Sequence, residues 1–481
     1  MKRSSNTQFR AAGTASTALS VLLLGACAVG PDYGKPPSVD TGSGWTQPAD
    51  AAQARIDLAT WWASLRDPAL NRLVKATLSG NLDLRKAQAR IREARALRDR
   101  TAGNYSPAVD ASGSVRRRRQ SENGPLPIGS IPGLKRDQTI YDVGFDAAWE
   151  IDLFGGTQRS VESAEASLQA AQADEQAIRI SVTAEVARSY LTLRGAQREL
   201  AAREASVKTL QQTLDLVSKR FDVGDAAQTD IDAAQARHAA AAAALPSIHA
   251  RSRAAALGLG VLLGAPPERE LALLDTTVRE ISLTPIPVGK RADILRRRPD
   301  IRAAERRLAA STADIGVATA ELFPKLTFGA HGGFESLNSG DLLKPSSEVF
   351  SIMPVISWRV FDGGRVRAEI RASEAREEQA ALAYEHAVLA ALGDAERALS
   401  NYKLGLDAVR RQSTAVEAAR RSYAHMQARF KAGDVTLTDL LAEERILRDS
   451  EDAYVATHTS AAINLVALFK ALGGGWDVRN L

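Results

Sequence analysis

The sequence repeats itself, and that duplication constrains the fold more than any other feature. Arg220-Phe221-Asp222-Val223-Gly224-Asp225, followed by Thr229-Asp230, returns 209 residues later as Arg429-Phe430-Lys431-Ala432-Gly433-Asp434, followed by Thr438-Asp439. Trp149-Glu150-Ile151-Asp152-Leu153-Phe154-Gly155-Gly156 is echoed by Trp358-Arg359-Val360-Phe361-Asp362-Gly363-Gly364, and Leu263-Gly264 by Leu472-Gly473. Upstream, Asp83-Leu84-Arg85 and Tyr105-Ser106-Pro107 match Asp300-Ile301-Arg302 and Leu322-Phe323-Pro324 at an offset of 217. One structural unit is therefore used twice, over 81–264 and 299–472. The intervening 265–298, with prolines toward both of its ends, reads as a linker, and 473–481 as a tail.

Each half orders its elements alike: helix, two strands, very long helix, turn, long helix. No proline interrupts Thr157 to Arg220, a run worth roughly 96 Å of helix at 1.5 Å per residue. Apolar residues recur there at Leu193, Leu200, Val207, Leu210, Leu214, Val217 and Phe221. The second copy gives Leu399, Tyr402, Leu406, Val409, Val416, Tyr423, Met426 and Phe430. A seam this narrow, with charged flanks, is coiled-coil packing. Long helices are expected over 157–221, 229–260, 365–430 and 438–470. Charged residues make up 25% and mean hydropathy is −0.19, which excludes both a polytopic helical membrane protein and a disordered chain. The 62 basic and 57 acidic residues nearly balance, so nucleic acid is not an expected partner.

The strands carry the functional signal. Tyr141, Val143, Phe145, Ala147, Trp149 and Ile151 alternate with Asp142, Asp146, Glu150 and Asp152, apolar on one face and acidic on the other. Strands are expected at about 108–119, 138–152, 325–336 and 349–361. Each pair is joined by a Gly/Pro/Ser-rich loop. A face of this kind suits a wall between lipid and water, yet four strands cannot close a membrane barrel, whose minimum is about eight. An open edge is not tolerated in lipid, so either the strands pack on a soluble core or several chains pool them into one barrel. Pooling is favoured, because long helices flank every strand pair and leave no sequence to cover a sandwich.

The N-terminus completes the picture. Lys2, Arg3 and Arg10 precede a short apolar run, and Leu24-Gly25-Ala26 leads into Cys27, the single cysteine of the chain. This reads as an export signal over 1–26, too short to span a bilayer. One cysteine excludes a disulfide framework or a cysteine zinc site, and the six histidines form no ligand or catalytic set. No cofactor, metal or enzymatic role is expected. Gly258-Leu259-Gly260-Val261-Leu262-Leu263-Gly264 has the wrong spacing and context for a nucleotide loop. Arg116-Arg117-Arg118-Arg119 is either a phosphate-contacting patch beside an external loop or a solvated strand end.

Taken together, the residues resemble the TolC-like outer-membrane factor family, in its lipidated NodT-type branch. The resemblance rests on Ala26-Cys27-Ala28-Val29-Gly30-Pro31-Asp32-Tyr33, Trp61-Trp62, Asp67-Pro68-Ala69-Leu70 and Asn81-Leu82-Asp83-Leu84. Further on, it rests on Arg297-Arg298-Pro299-Asp300-Ile301, Glu305, Phe323-Pro324-Lys325-Leu326 and Ala471-Leu472-Gly473-Gly474-Gly475-Trp476. It implies a mainly α protein with a membrane β-barrel: a homotrimer giving four strands per chain to a twelve-stranded barrel, continuous with a long coiled-coil α-barrel. It also implies a diacylglycerol-linked Cys27 heading a lipidated segment over 27–80, and placement in the outer membrane, reaching into the periplasm.

The implied function is a passive channel for small toxic compounds or drugs, served by a periplasmic adaptor and a proton-driven inner-membrane transporter. The adaptor-docking tips fall on Gly224, Asp225 and Thr229 and on Gly433, Asp434 and Thr438, with Thr229 and Thr438 expected to cap the returning helices. The periplasmic gate falls on Asp439, Glu443 and Arg445, because Ala442 occupies the usual gate-carboxylate position. Two alternatives share these features: the channel of a type I protein secretion system, and a coiled-coil structural lipoprotein without a pore.

Overall fold

The computed structural model describes residues 28–42, 44–46, 57–121, 135–276, 278 and 280–476. Cys27, the signal segment 1–26 and most of the first strand-joining loop lie outside these residues. The described chain forms two compact units. One comprises residues up to Pro37, Ile91–Ala170 and Ala304–Tyr384; the other comprises Ser38–Arg90, Ala171–Ala303 and Glu385–Leu481.

The elements follow in chain order as α1 (Pro68–Gly80), α2 (Leu82–Ala102), β1 (Ala108–Arg119), β2 (Asp137–Ile151), α3 (Gly156–Asp222), α4 (Gln228–Ala243) and α5 (Leu245–Leu262). After the inter-repeat segment come α6 (Pro299–Ala320), β3 (Lys325–Ser336), β4 (Glu348–Ser357), α7 (Arg365–Ala432) and α8 (Leu437–Ala471). Helices α3 and α7 hold 67 and 68 residues without interruption.

Two boundaries differ from the expectation. The helix expected over 229–260 is broken after Ala243, because Pro246 in the first turn of α5 has no N–H and crowds the preceding turn. The last strand ends at Ser357, not at Phe361. Its partner β3 begins at Lys325, paired with Ser357, so nothing on that side continues the ladder.

In the first unit the four strands form one antiparallel sheet in sequential order. The N-terminal segment is threaded tightly beside the end of β2. Val29 N–H donates to Phe154 C=O at 3.1 Å, and the buried Arg159 guanidinium donates to the Val29 carbonyl, Asp32 and Glu162. The two carboxylate partners push the Arg159 pKa up against the opposing effect of burial. Gly155 is required here twice over: its φ is +76°, and a Cβ would lie 2.6 Å from the Ala28 backbone. Further along, the Tyr33 hydroxyl donates to Glu305 at 2.8 Å beneath the Arg306 guanidinium.

In the second unit, Asp67 caps α1 by accepting from the Ala69 and Leu70 N–H groups. Its other oxygen accepts from the Tyr190 hydroxyl at 2.7 Å, while Arg194 donates to that hydroxyl at 2.8 Å. Burial, then the bond to Asp67, drives the Tyr190 pKa upward. Trp61 is 1% exposed and stacks on Phe469 with centroids 4.9 Å apart. Trp61 and Asp67-Pro68 thus owe their places to packing and capping.

Candidate functional site: a two-faced sheet and paired helical tips

The register settles which residues share a face of the sheet. Trp149 pairs with Phe328, Ala147 with both Val109 and Ala330, and Phe145 with Ala111 and Gly332. Ala330 pairs onward with Ile352, Gly332 with Phe350 and Leu326 with Ile356. Because side chains alternate with period two, all these residues lie on one side. Val109, Val115, Phe145, Phe350, Ile352 and Ile356 are between 62% and 82% exposed. Large side chains left in water forgo about 1.5–3 kcal/mol each, so a band of this extent marks a surface built for an apolar surrounding.

The opposite face is polar or small along β1 to β3, while β4 adds Met353 and Val355 to it. Asp146 accepts from the Ser112 hydroxyl at 2.8 Å and pairs with His331 at 2.9 Å, while Asp142, Glu150, Thr327 and Glu335 share that side. Among the described residues, the outer edges of β1 and β4 have no partner. Such edges are untenable in lipid unless another strand pairs with them.

In the second unit, the long helices turn back with the same geometry twice. At the end of α3, Gly224 takes φ +80°, its N–H donates to Phe221 C=O at 2.9 Å, and Asp225 N–H donates to Arg220 C=O at 2.7 Å. At the end of α7, Gly433 takes φ +87°, donating to Phe430 C=O at 3.1 Å, and Asp434 N–H reaches Arg429 C=O at 3.0 Å. Both are left-handed glycine terminations that satisfy carbonyls the helix leaves open. The two turns share one core of Leu210, Val217, Ala234, Phe430, Leu437, Leu440 and Leu441. Arg220 ties them together, donating to Phe430 C=O at 2.7 Å with its guanidinium 4.5 Å from the Phe430 ring centre. Val223, Gly224, Asp225, Gly433 and Asp434 remain exposed.

The expected caps need correction. Thr229 and Thr438 lie inside the first turns of α4 and α8; the N-caps are Ala227 and Thr436. Thr436 and Asp439 form a reciprocal box. Asp439 N–H donates to the Thr436 hydroxyl oxygen at 3.3 Å, and Asp439 accepts from the Thr436 N–H at 3.0 Å. Bonds from the Thr436 hydroxyl and backbone hold the Asp439 pKa below the usual carboxylate range. In the first repeat Asp230 reaches back to Ala227 N–H at 3.0 Å, but alanine has no side-chain oxygen to reciprocate. The Thr-x-x-Asp spacing of 436–439 was the signal that would have located the cap. We expect Thr436→Ala to loosen the second tip by roughly 1 kcal/mol. Faster amide exchange over 437–441, with the first tip unchanged, would show it.

The expected gate residues are not brought together within the chain. Asp439 is engaged in the box, Glu443 accepts from the Ser422 hydroxyl at 2.8 Å, and Arg445 pairs one turn on with Asp449 at 3.6 Å.

The family described as "Outer membrane efflux protein" matches residues 73–265 and 291–474. The chain is 32% identical over 437 residues to the pyoverdine export outer membrane protein OpmQ of Pseudomonas putida, covering 90% of this chain and 92% of that one. It is 29% identical over 470 residues to nodulation protein T of Rhizobium leguminosarum, covering 95% and 96%. The solved outer-membrane channel OprN superposes with a TM-score of 0.82 at 36% identity, covering 94% of this chain and 100% of that chain.

The fold class is that of these channels: mainly α, with a long coiled-coil α-barrel continuous with a twelve-stranded membrane β-barrel to which each chain of a homotrimer gives four strands. An apolar exposed band, two open edges and matched helical turns find their common explanation in one statement: the chain belongs to the outer membrane efflux protein family.

Proposed function

We propose that this outer-membrane channel, the exit component of a tripartite efflux system, carries small toxic organic compounds handed on by a proton-driven inner-membrane transporter. A periplasmic adaptor docks on the tips at Gly224, Asp225 and Thr229 and at Gly433, Asp434 and Thr438, and the conduit is passive. The observation that carries the channel is the sheet, with one side fit for lipid, the other for water, and both edges left open for neighbouring copies. The efflux family supports the cargo class, as does a relative named for exporting pyoverdine. Exposed, backbone-defined turns that share one core support docking, since a rigid tip loses little freedom on binding.

The resting channel is shut by Asp439, Glu443 and Arg445 meeting between copies. Exposure supports that reading: Asp439 and Arg445 are exposed and Glu443 is half-buried. Cys27 carries the lipid. Its chain neighbour Ala28 is packed on Gly155, just past the end of a membrane strand, within a short reach of the bilayer. Purified protein in planar bilayers tests the conduit: stable trimers conducting ions are expected, and a non-conducting monomer would overturn it. Loss of the gene should sensitise cells to small toxic compounds; loss of a secreted protein instead would favour the type I secretion alternative.

A further inference from the structure

The inter-repeat segment is held to two long helices by a closed polar knot that the conduit does not require. Arg198 on α3 donates to His458 Nδ1 on α8 at 3.1 Å and to Glu280 Oε2 in the inter-repeat segment at 3.1 Å. Glu280 Oε1 lies 3.1 Å from His458 Nε2 and accepts from the Tyr454 hydroxyl, one turn before His458 on α8, at 2.7 Å. A guanidinium has donors only, so Nδ1 must accept and the ring proton sits on Nε2, facing Glu280. The imidazole is therefore neutral in this arrangement, and its side chain is only 7% exposed.

The helices meet closely here. A Cβ on Gly195 of α3 would fall 2.5 Å from the Thr459 hydroxyl oxygen of α8. Arg194 is the other charged group on this wall, and it is already committed to the Tyr190 hydroxyl, Gln197 and Thr276.

We propose that His458 is a proton-sensitive latch joining α3, α8 and the inter-repeat segment, closed while the ring is neutral and released when it is protonated. A proton on Nδ1 would set donor against donor and place a second positive charge beside Arg198. Burial, then the Arg198 charge, hold the ring's pKa below its ordinary 6.5, with Glu280 and the ring's bond to the Ile281 backbone opposing them. The closed state therefore resists a proton that the open state accepts. The latch is at full strength above pH 6.5 and weakens as the pH falls through that value. Until the closed-state pKa is reached, its opening equilibrium rises by up to about tenfold per pH unit.

Hydrogen–deuterium exchange on the full-length channel, corrected for the intrinsic pH dependence of exchange, tests this over segments 280–288 and 452–462. Wild-type protection should hold steady from about pH 8 to 6.5 and then fall toward about pH 5, by up to about tenfold per unit. His458→Asn keeps an acceptor for Arg198 without titrating, and should be flat. Glu280→Gln removes the charge that favours a protonated ring, and should extend the transition to more acidic pH. A wild type whose protection does not vary with pH overturns the latch, as does a His458→Asn channel that loosens over the same range.

Discussion

Phe145→Arg should abolish the assembled channel. Phe145 is 63% exposed on the apolar face and lies between Ala111 and Gly332 in the register. An arginine facing lipid near mid-bilayer costs about 2–4 kcal/mol. A trimer carries the substitution three times, for roughly 6–12 kcal/mol per barrel, comparable to the whole stability of an ordinary domain. Detergent-resistant trimer in the outer-membrane fraction should fall at least a hundredfold. Asp146→Asn, one residue on and facing the other way, should leave assembly nearly intact. If both variants assemble equally well, the apolar face is not the lipid-facing one.

Trp61→Ala should give the largest destabilisation outside the sheet. Trp61 stacks on Phe469, and nearby Gly475 N–H donates to Leu58 C=O at 2.7 Å, fastening the segment before α1 to the chain after α8. Truncating a buried tryptophan costs about 3–5 kcal/mol, because the hole it leaves collapses only in part. Phe469 is fully buried and would lose its stacking partner. The solubilised trimer should show a lower thermal midpoint and early proteolytic cleavage within 57–80. Trp61→Phe should recover most of the loss, because an aromatic ring can still stack. An unchanged midpoint for Trp61→Ala would show that this cluster does not hold the chain ends.

Much of the fold was legible because it is periodic and written twice. Strict alternation from Tyr141 to Ile151 could satisfy only a two-faced strand, and a glycine at matching positions of both copies signalled helix terminations. What escaped was local or long-range. The cap fell two residues earlier than Thr438, because two threonines lie near the turn and only the one three residues before Asp439 can close the box. The break at Pro246 lay beside an alanine run with no seam to mark a boundary. Arg159 with Asp32, and Arg198 with Glu280 and His458, join residues far apart in the chain whose meeting no spacing rule anticipates.

The unpartnered margins of β1 and β4 have a genetic consequence. Since no copy can finish its own hydrogen-bond ladder, membrane insertion and association are one event, and a faulty subunit spoils every ring it joins. A cell expressing sound and strand-defective copies equally would retain only about one wholly sound ring in eight under random mixing. Lesions in this sheet should therefore be inherited as dominant.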